Sequence, residues 1–87
     1  MKRLEFILGN EHGLHARPAG MLVQLCGKYQ SAVSLFKGEQ KVNAKSLLGV
    51  MKIAASKGDA LALEVEGDDE AVAFEAIKAL IDRNFDE

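Results

Sequence analysis

The sequence contains a single cysteine, a single proline and no tryptophan. One cysteine cannot form an internal disulfide. Cys26 also falls on the apolar side of a predicted helix, where free cysteines are commonly buried. We therefore expect a reduced, buried thiol and a cytoplasmic protein.

Long apolar runs and clusters of basic residues are also missing. No apolar stretch approaches the roughly 18 residues of a membrane span. The apolar run near the N-terminus is also too short for a signal peptide. The net charge is −2, without a run of lysine or arginine. Nucleic-acid-binding proteins usually show a basic stripe, so we expect neither nucleic-acid binding nor membrane insertion.

The 87 residues are 48% hydrophobic and 28% charged, which is ordinary for one globular domain spanning residues 1–87. Alternation and helical spacing predict strands over residues 2–8, 31–36, 40–43 and 60–66. Helices are predicted over residues 16–28, from Ser46 to a cap at Gly58, and after the acidic stretch 67–70. The order is βαββαβα, an α+β chain. Because three strands alternate, the sheet should be covered on one face only.

Residues Gly13 to Pro18, GLHARP, form the motif with the clearest chemical meaning. Proline is tolerated in the first turn of a helix, so the helix should begin at about Ala16 with His15 at its N-cap. Free backbone N–H groups and the helix dipole favour an anion there. A neutral imidazole can attack phosphorus, and the product would lie against the N–H groups of Ala16 and Arg17 and the Arg17 side chain.

Two segments resemble the HPr family, the histidine-containing phosphocarriers of the bacterial sugar phosphotransferase system. They are GLHARPA at residues 13–19 and VNAKSLLGVM at residues 42–51. The resemblance implies an open-faced β-sandwich, with an antiparallel sheet in strand order 1-4-2-3 and three helices on one face. It also implies that His15 accepts a phosphoryl group from enzyme I and passes it to enzyme IIA, while Arg17 positions and neutralises that group. Such a protein is a carrier rather than an enzyme, and no cofactor is expected.

The resemblance also implies a docking surface for these partners on the first two helices. We expect Leu47 and Met51 to be at least partly exposed, with Leu48 beside them. Methionine suits a surface that meets several partners. Gly20 departs from the larger residue that the family usually has, which flattens the first helix. We expect a monomer.

Ser46 allows two interpretations. Serine before an apolar helical run is a good N-cap. In several lineages of the family a dedicated kinase phosphorylates this serine, so HPr kinase/phosphorylase and a transcriptional regulator are possible partners. Two alternative functions stay open: a carrier of the nitrogen-related branch, and a binding module that acts as a corepressor when Ser46 is phosphorylated. Relatives specialised for the second role lose the active-site histidine, which this chain retains.

The spacing of His12 and His15 also suggests a metal site. Only Glu11 lies nearby as a further ligand, whereas a structural zinc site needs about four ligands. We therefore expect no metal and interpret His12 as a solvated neighbour of His15.

Overall fold

The computed structural model describes residues 1–86. Four strands and three helices follow one another in the predicted order βαββαβα. The elements are β1 (Lys2–Ile7), α1 (Ala16–Cys26), β2 (Ala32–Lys37), β3 (Gln40–Asn43), α2 (Leu47–Lys52), β4 (Ala60–Glu66) and α3 (Glu70–Asp82).

The strands form one antiparallel sheet in the order β1-β4-β2-β3. The strand order expected from the resemblance is therefore confirmed. The register places Leu63 of β4 between Leu4 of β1 and Leu35 of β2. The first and last strands in the sequence, β1 and β4, are therefore neighbours in the sheet.

The two faces of the sheet differ because side chains alternate along each strand. On the covered face, Leu35, Leu63 and Val65 are almost inaccessible to solvent. On the open face, Arg3 pairs with Glu64 across the strands at 2.6 Å. All three helices lie on the covered face, as the alternation in the sequence predicts. The core is completed by Leu8, Leu14, Ala19, Leu22, Cys26, Val33, Ala44, Val50, Ile53, Ala55, Leu61, Ala73, Ile77, Leu80 and Phe85.

Several element ends differ from the predicted positions by one or two residues. Strand β1 ends at Ile7 and β2 is displaced by one residue, whereas the predicted bounds of β3 and β4 are confirmed. Helix α1 ends at Cys26 instead of residue 28. The chain tightens there, since the N–H of Lys28 bonds the carbonyl of Leu25, three residues back, at 3.1 Å.

The predicted end of α2 at Gly58 is wrong. Helix α2 ends at Lys52, and Ala54 then adopts a left-handed backbone with φ of 53°. Gly58 lies in the following turn, where its positive φ of 93° is easily adopted by glycine and its N–H donates to the carbonyl of Leu8 at 2.8 Å. A glycine that closes a turn before a strand has the same sequence signature as a glycine that caps a helix.

The acidic residues that open α3 bond to different partners. The Glu70 carboxylate accepts a hydrogen bond from the N–H of Gly67 at 3.1 Å. The carboxylate of Asp69 instead accepts from the N–H groups of Gln30 and Ser31, both at 2.9 Å, and from the Ser31 hydroxyl. These bonds tie the start of α3 to the segment that precedes β2.

The sequence analysis did not predict the C-terminal turn, Asn84–Asp86. Its three residues have φ values of 56°, 56° and 61°, in the left-handed region that residues other than glycine rarely adopt. The turn directs the ring of Phe85 into the core, where only 2% of it is exposed. Burial of this ring offsets the backbone strain of the turn.

Candidate functional site

His15 is the N-cap of α1, as the sequence predicts. Its backbone is extended, with φ of −78° and ψ of −171°, and its carbonyl accepts the first helical hydrogen bond from Ala19 at 3.0 Å. The imidazole makes no capping bond to the helix. Proline 18 has no N–H, so the N–H groups at the positive end of this helix are those of Ala16 and Arg17.

The loop before His15 is held against the segment that follows α2. The N–H of Leu14 donates to the carbonyl of Ala55 at 2.9 Å, and the Leu14 side chain is buried. Gly13 has a φ of 72°, and a Cβ at this position would collide with the same carbonyl. Only glycine allows the backbone to come this close, which explains why the motif begins with it.

His15 and Arg17 line one open depression together with Gly9, Glu11, His12 and Asn84. The rings of His12 and His15 meet edge to face, with centroids 6.2 Å apart and an angle of 78° between the planes. His12 is exposed and His15 is partly buried. The depression thus brings two imidazoles, a guanidinium and a helix N-terminus to one place.

Two carboxylates in or near the depression, those of Glu11 and Asp86, are paired with cations. Lys57 bonds the Glu11 carboxylate at 2.8 Å and lowers its pKa. The pKa of Asp86 is lowered mainly by its hydrogen bond from Arg83, 2.7 Å away, and the positive charge of Arg17 lowers it further. These two carboxylate charges are therefore compensated, which suits the binding of an anion beside His15.

The proposed docking residues lie on the surface of α1 and α2, two helices that contact each other. The exposed fractions are 45% for Leu47, 80% for Leu48 and 41% for Met51. A Cβ added at Gly20 would contact no atom within 4 Å. The adjacent helices thus combine exposed apolar side chains with a flat position on α1.

Ser46 is the N-cap of α2. Its hydroxyl accepts a hydrogen bond from the N–H of Gly49 at 3.1 Å. The structural interpretation of this serine as an N-cap is therefore confirmed.

Two features are absent from residues 1–86. No three side chains from histidine, cysteine, aspartate and glutamate in this part of the chain are grouped so that they could hold a metal ion. Within the same residues, no helix is both long enough and apolar enough to cross a membrane.

Comparison with known proteins decides the family. The family model described as the PTS HPr component phosphorylation site matches residues 2–83. The chain belongs to the HPr family. The HPr phosphocarrier of Treponema pallidum is 45% identical over 90% of this chain and 89% of its own length. That of Xylella fastidiosa is 42% identical over 95% of this chain and 93% of its own length.

Solved HPr structures have the same fold. The crystal structure of HPr-C-His from Thermoanaerobacter tengcongensis superposes with a TM-score of 0.94 and 42% sequence identity. The match covers 100% of this chain and 98% of the other. The protein is thus a member of the phosphocarrier family of the phosphotransferase system, through which sugars are transported.

The HPr motif alone did not reveal the whole depression. Asn84 lies almost seventy residues after His15 in the sequence, and Gly9 and Glu11 carry no chemical signature of their own. One weak signal was available for Asn84, because asparagine is enriched among residues with a left-handed backbone. The contribution of Asn84 to the site can be identified only once the position of the C-terminal turn is known.

Proposed function

We propose that His15 accepts a phosphoryl group from phosphorylated enzyme I and donates it to enzyme IIA of a sugar transport complex. In the first step the phosphorus–nitrogen bond on enzyme I breaks as a bond forms to the His15 imidazole. The second step repeats this exchange with the acceptor. The protein acts as a carrier in this proposal, because it takes the phosphoryl group from one protein and delivers it to another.

The position of His15 supports this proposal most strongly. Its side chain lies at the N-terminus of α1, in the depression that also contains Arg17. The N–H groups of Ala16 and Arg17 and the Arg17 guanidinium offer donors to a phosphoryl oxygen. Phosphoryl transfer depends mainly on positioning and charge neutralisation, and these groups supply both.

Incubation with enzyme I and phosphoenolpyruvate tests the proposal. We expect one acid-labile phosphoryl group on the wild-type protein and none on His15→Ala. His12→Ala is the matched control, because it removes the neighbouring imidazole and should still be labelled. Labelling that persists in His15→Ala, or that is lost only in His12→Ala, contradicts the assignment.

We further propose that enzyme I and enzyme IIA bind the surface formed by Leu47, Leu48 and Met51, together with α1 around Gly20. Leu48 is the most exposed of these side chains, so Leu48→Ala should raise the KM for enzyme I without destabilising the fold. Val72→Ala is the matched control, since Val72 is 63% exposed on α3. Equal KM values for the two variants contradict this docking surface.

Ser46 phosphorylation by a dedicated kinase, and recognition of the product by a transcriptional regulator, belong to the same proposal. The family membership and the exposed side chains of α2 beside Ser46 support them. We also propose that residues 1–87 act as one monomeric domain in the cytoplasm. The fold buries the single thiol, Cys26, and needs no disulfide, which is compatible with a reducing compartment.

A further inference from the structure

Asn10 is a buried polar residue in the His15 loop, which we define as residues 9–15. Among residues 1–86, Asn10 and Ser31 are the two polar residues that are almost inaccessible to solvent, with 0% and 1% exposure. Ser31 bonds Asp69 at the start of α3. Asn10 lies instead in the loop that leads to His15. Burial of an amide is unfavourable unless it forms hydrogen bonds, so its contacts indicate what it holds in place.

Asn10 joins two segments that are far apart in the sequence. Its side-chain Nδ2 donates to the carbonyl of Asn84 in the C-terminal turn at 3.1 Å. Its backbone carbonyl accepts from the N–H of Gly13 at 3.0 Å, two residues before His15. Asn84 itself lines the depression that contains His15 and Arg17. A single residue therefore connects the C-terminal wall of the site with the backbone that positions the histidine.

We propose that Asn10 is a positioning residue for phosphoryl transfer, which fixes the His15 loop against the C-terminal turn. The inference rests on the proposed function of His15 as the phosphoryl acceptor. This role requires no contact between Asn10 and the phosphoryl group. It acts by restricting the angle at which the imidazole and Arg17 meet the donor.

The C-terminal turn needs such a connection. Its three left-handed residues are held by the buried ring of Phe85 and by the bond from Asn10. Without the amide, the carbonyl of Asn84 loses its donor, and the turn is held at the rim by the Phe85 ring and the Arg83–Asp86 bond alone. The His15 loop would then sample more conformations, and small displacements of a reacting group reduce transfer rates strongly.

The first experiment compares Asn10→Ala with Ser31→Ala. Each variant removes one buried polar side chain, but only Asn10 connects to the depression. We expect Asn10→Ala to lower kcat for transfer from enzyme I by about tenfold to a hundredfold, with KM unchanged because the docking surface is intact. Ser31→Ala should transfer at the parental rate. The amide resonances of Ala16 and Arg17 should shift only in Asn10→Ala.

Asn10→Asp provides a second measurement that preserves the shape of the side chain. An ionised carboxylate cannot donate to the Asn84 carbonyl, whereas a protonated carboxyl can. The transfer rate of this variant, divided by that of the wild type at the same pH, should therefore rise as the pH falls. If Asn10→Ala is too unstable to assay, the pH dependence of Asn10→Asp tests the proposal by itself.

The outcomes separate this inference from the proposed function. A wild-type protein that accepts no phosphoryl group overturns both. A labelled wild type overturns only the role of Asn10 if folded Asn10→Ala keeps the parental kcat, or if Ser31→Ala is slowed as much. A rate ratio for Asn10→Asp that stays at one across the pH range also overturns the role of Asn10.

Discussion

Arg17 follows His15 by two residues and lines the same depression. Its side chain is exposed, so we expect its loss to affect folding less than the binding of a phosphoryl group. We predict that Arg17→Ala slows transfer from enzyme I by at least tenfold, or about 1.4 kcal/mol of barrier, with little change in melting temperature. Lys28→Ala, which removes an exposed cation just beyond the other end of α1, is the control. An unchanged transfer rate in Arg17→Ala would show that Arg17 is an ordinary solvated residue with no part in transfer.

Asp69 gives a residue-level prediction about stability. Hydrogen bonds from the Ser31 hydroxyl and the Gln30 N–H lower its pKa below the ordinary value of 3.8. A carboxylate with a lowered pKa stabilises the fold above its unfolded-state pKa, and this contribution is lost as the pH falls through the folded-state pKa. We predict that Asp69→Asn melts below the wild type at neutral pH and that the difference shrinks in acid.

Thermal melts from neutral pH to about pH 2 measure this effect. Asp68→Asn, at the exposed neighbouring position, is the control. A melting-temperature difference for Asp69→Asn that stays constant over this range would falsify the assignment of the acid dependence to Asp69.

The residues of the site were predictable to different degrees. His15 at an N-cap followed from proline in the first turn, because a local rule decides where a helix begins. The structure confirms that position. Asn10 was not predicted, since nothing in the local sequence shows that it bonds to the C-terminal turn. Burial of a loop residue depends on distant contacts that no local pattern contains.

The α2 element combines a cap with the exposed surface beside it. Ser46→Ala should cost about 1 kcal/mol of folding free energy, because the N–H of Gly49 loses its acceptor. Ser46→Asp keeps an acceptor and places a negative charge at the positive end of the helix, so its stability should be close to that of the wild type. The same charge next to Leu47 should raise the KM for enzyme I, since a bound partner must desolvate it.

Thermal melts and enzyme I kinetics on the two Ser46 variants separate these effects. A domain of this size shifts its melting temperature by about 4–8 °C per kcal/mol, so loss of the cap is measurable. For Ser46→Ala we expect a lower melting temperature with parental KM. For Ser46→Asp we expect a parental melting temperature with a raised KM. An early-melting Ser46→Asp, or one with parental KM, contradicts the docking interpretation.

Element ends were less predictable than the elements themselves. Alternation gave β4 correctly because Leu61, Leu63 and Val65 face the core. The end of α2 was wrong because Ala54 adopts a left-handed backbone that alanine rarely takes, while Gly58 closes the next turn. Packing of Ile53 and Ala55 against the core determines where this helix stops, and packing overrides local propensity.

At the scale of the whole molecule, the sequence pattern predicted the layers and the resemblance predicted the strand order. One-sided alternation requires a sheet with a single covered face, and the helices supply that cover. Periodicity cannot tell which strands are neighbours, because several orders would bury the same residues. Neither the pattern nor the resemblance predicted the C-terminal turn, because Phe85 reaches the core through a strained backbone after the last residue of α3.

Because Cys26 is buried, the alkylation rate of its thiol reports unfolding of the chain. Its side chain is inaccessible to solvent, and burial raises the pKa of the thiol to about 12. Alkylating reagents react with the thiolate, so the folded protein should resist them until it opens. We predict that iodoacetamide adds one mass increment at a rate proportional to the open population, and that Ser46→Ala accelerates it. Modification at the speed of an exposed thiol would contradict this. The chain holds one cysteine, so each increment marks one opened molecule, and the opening equilibrium can be read by mass spectrometry without an introduced probe.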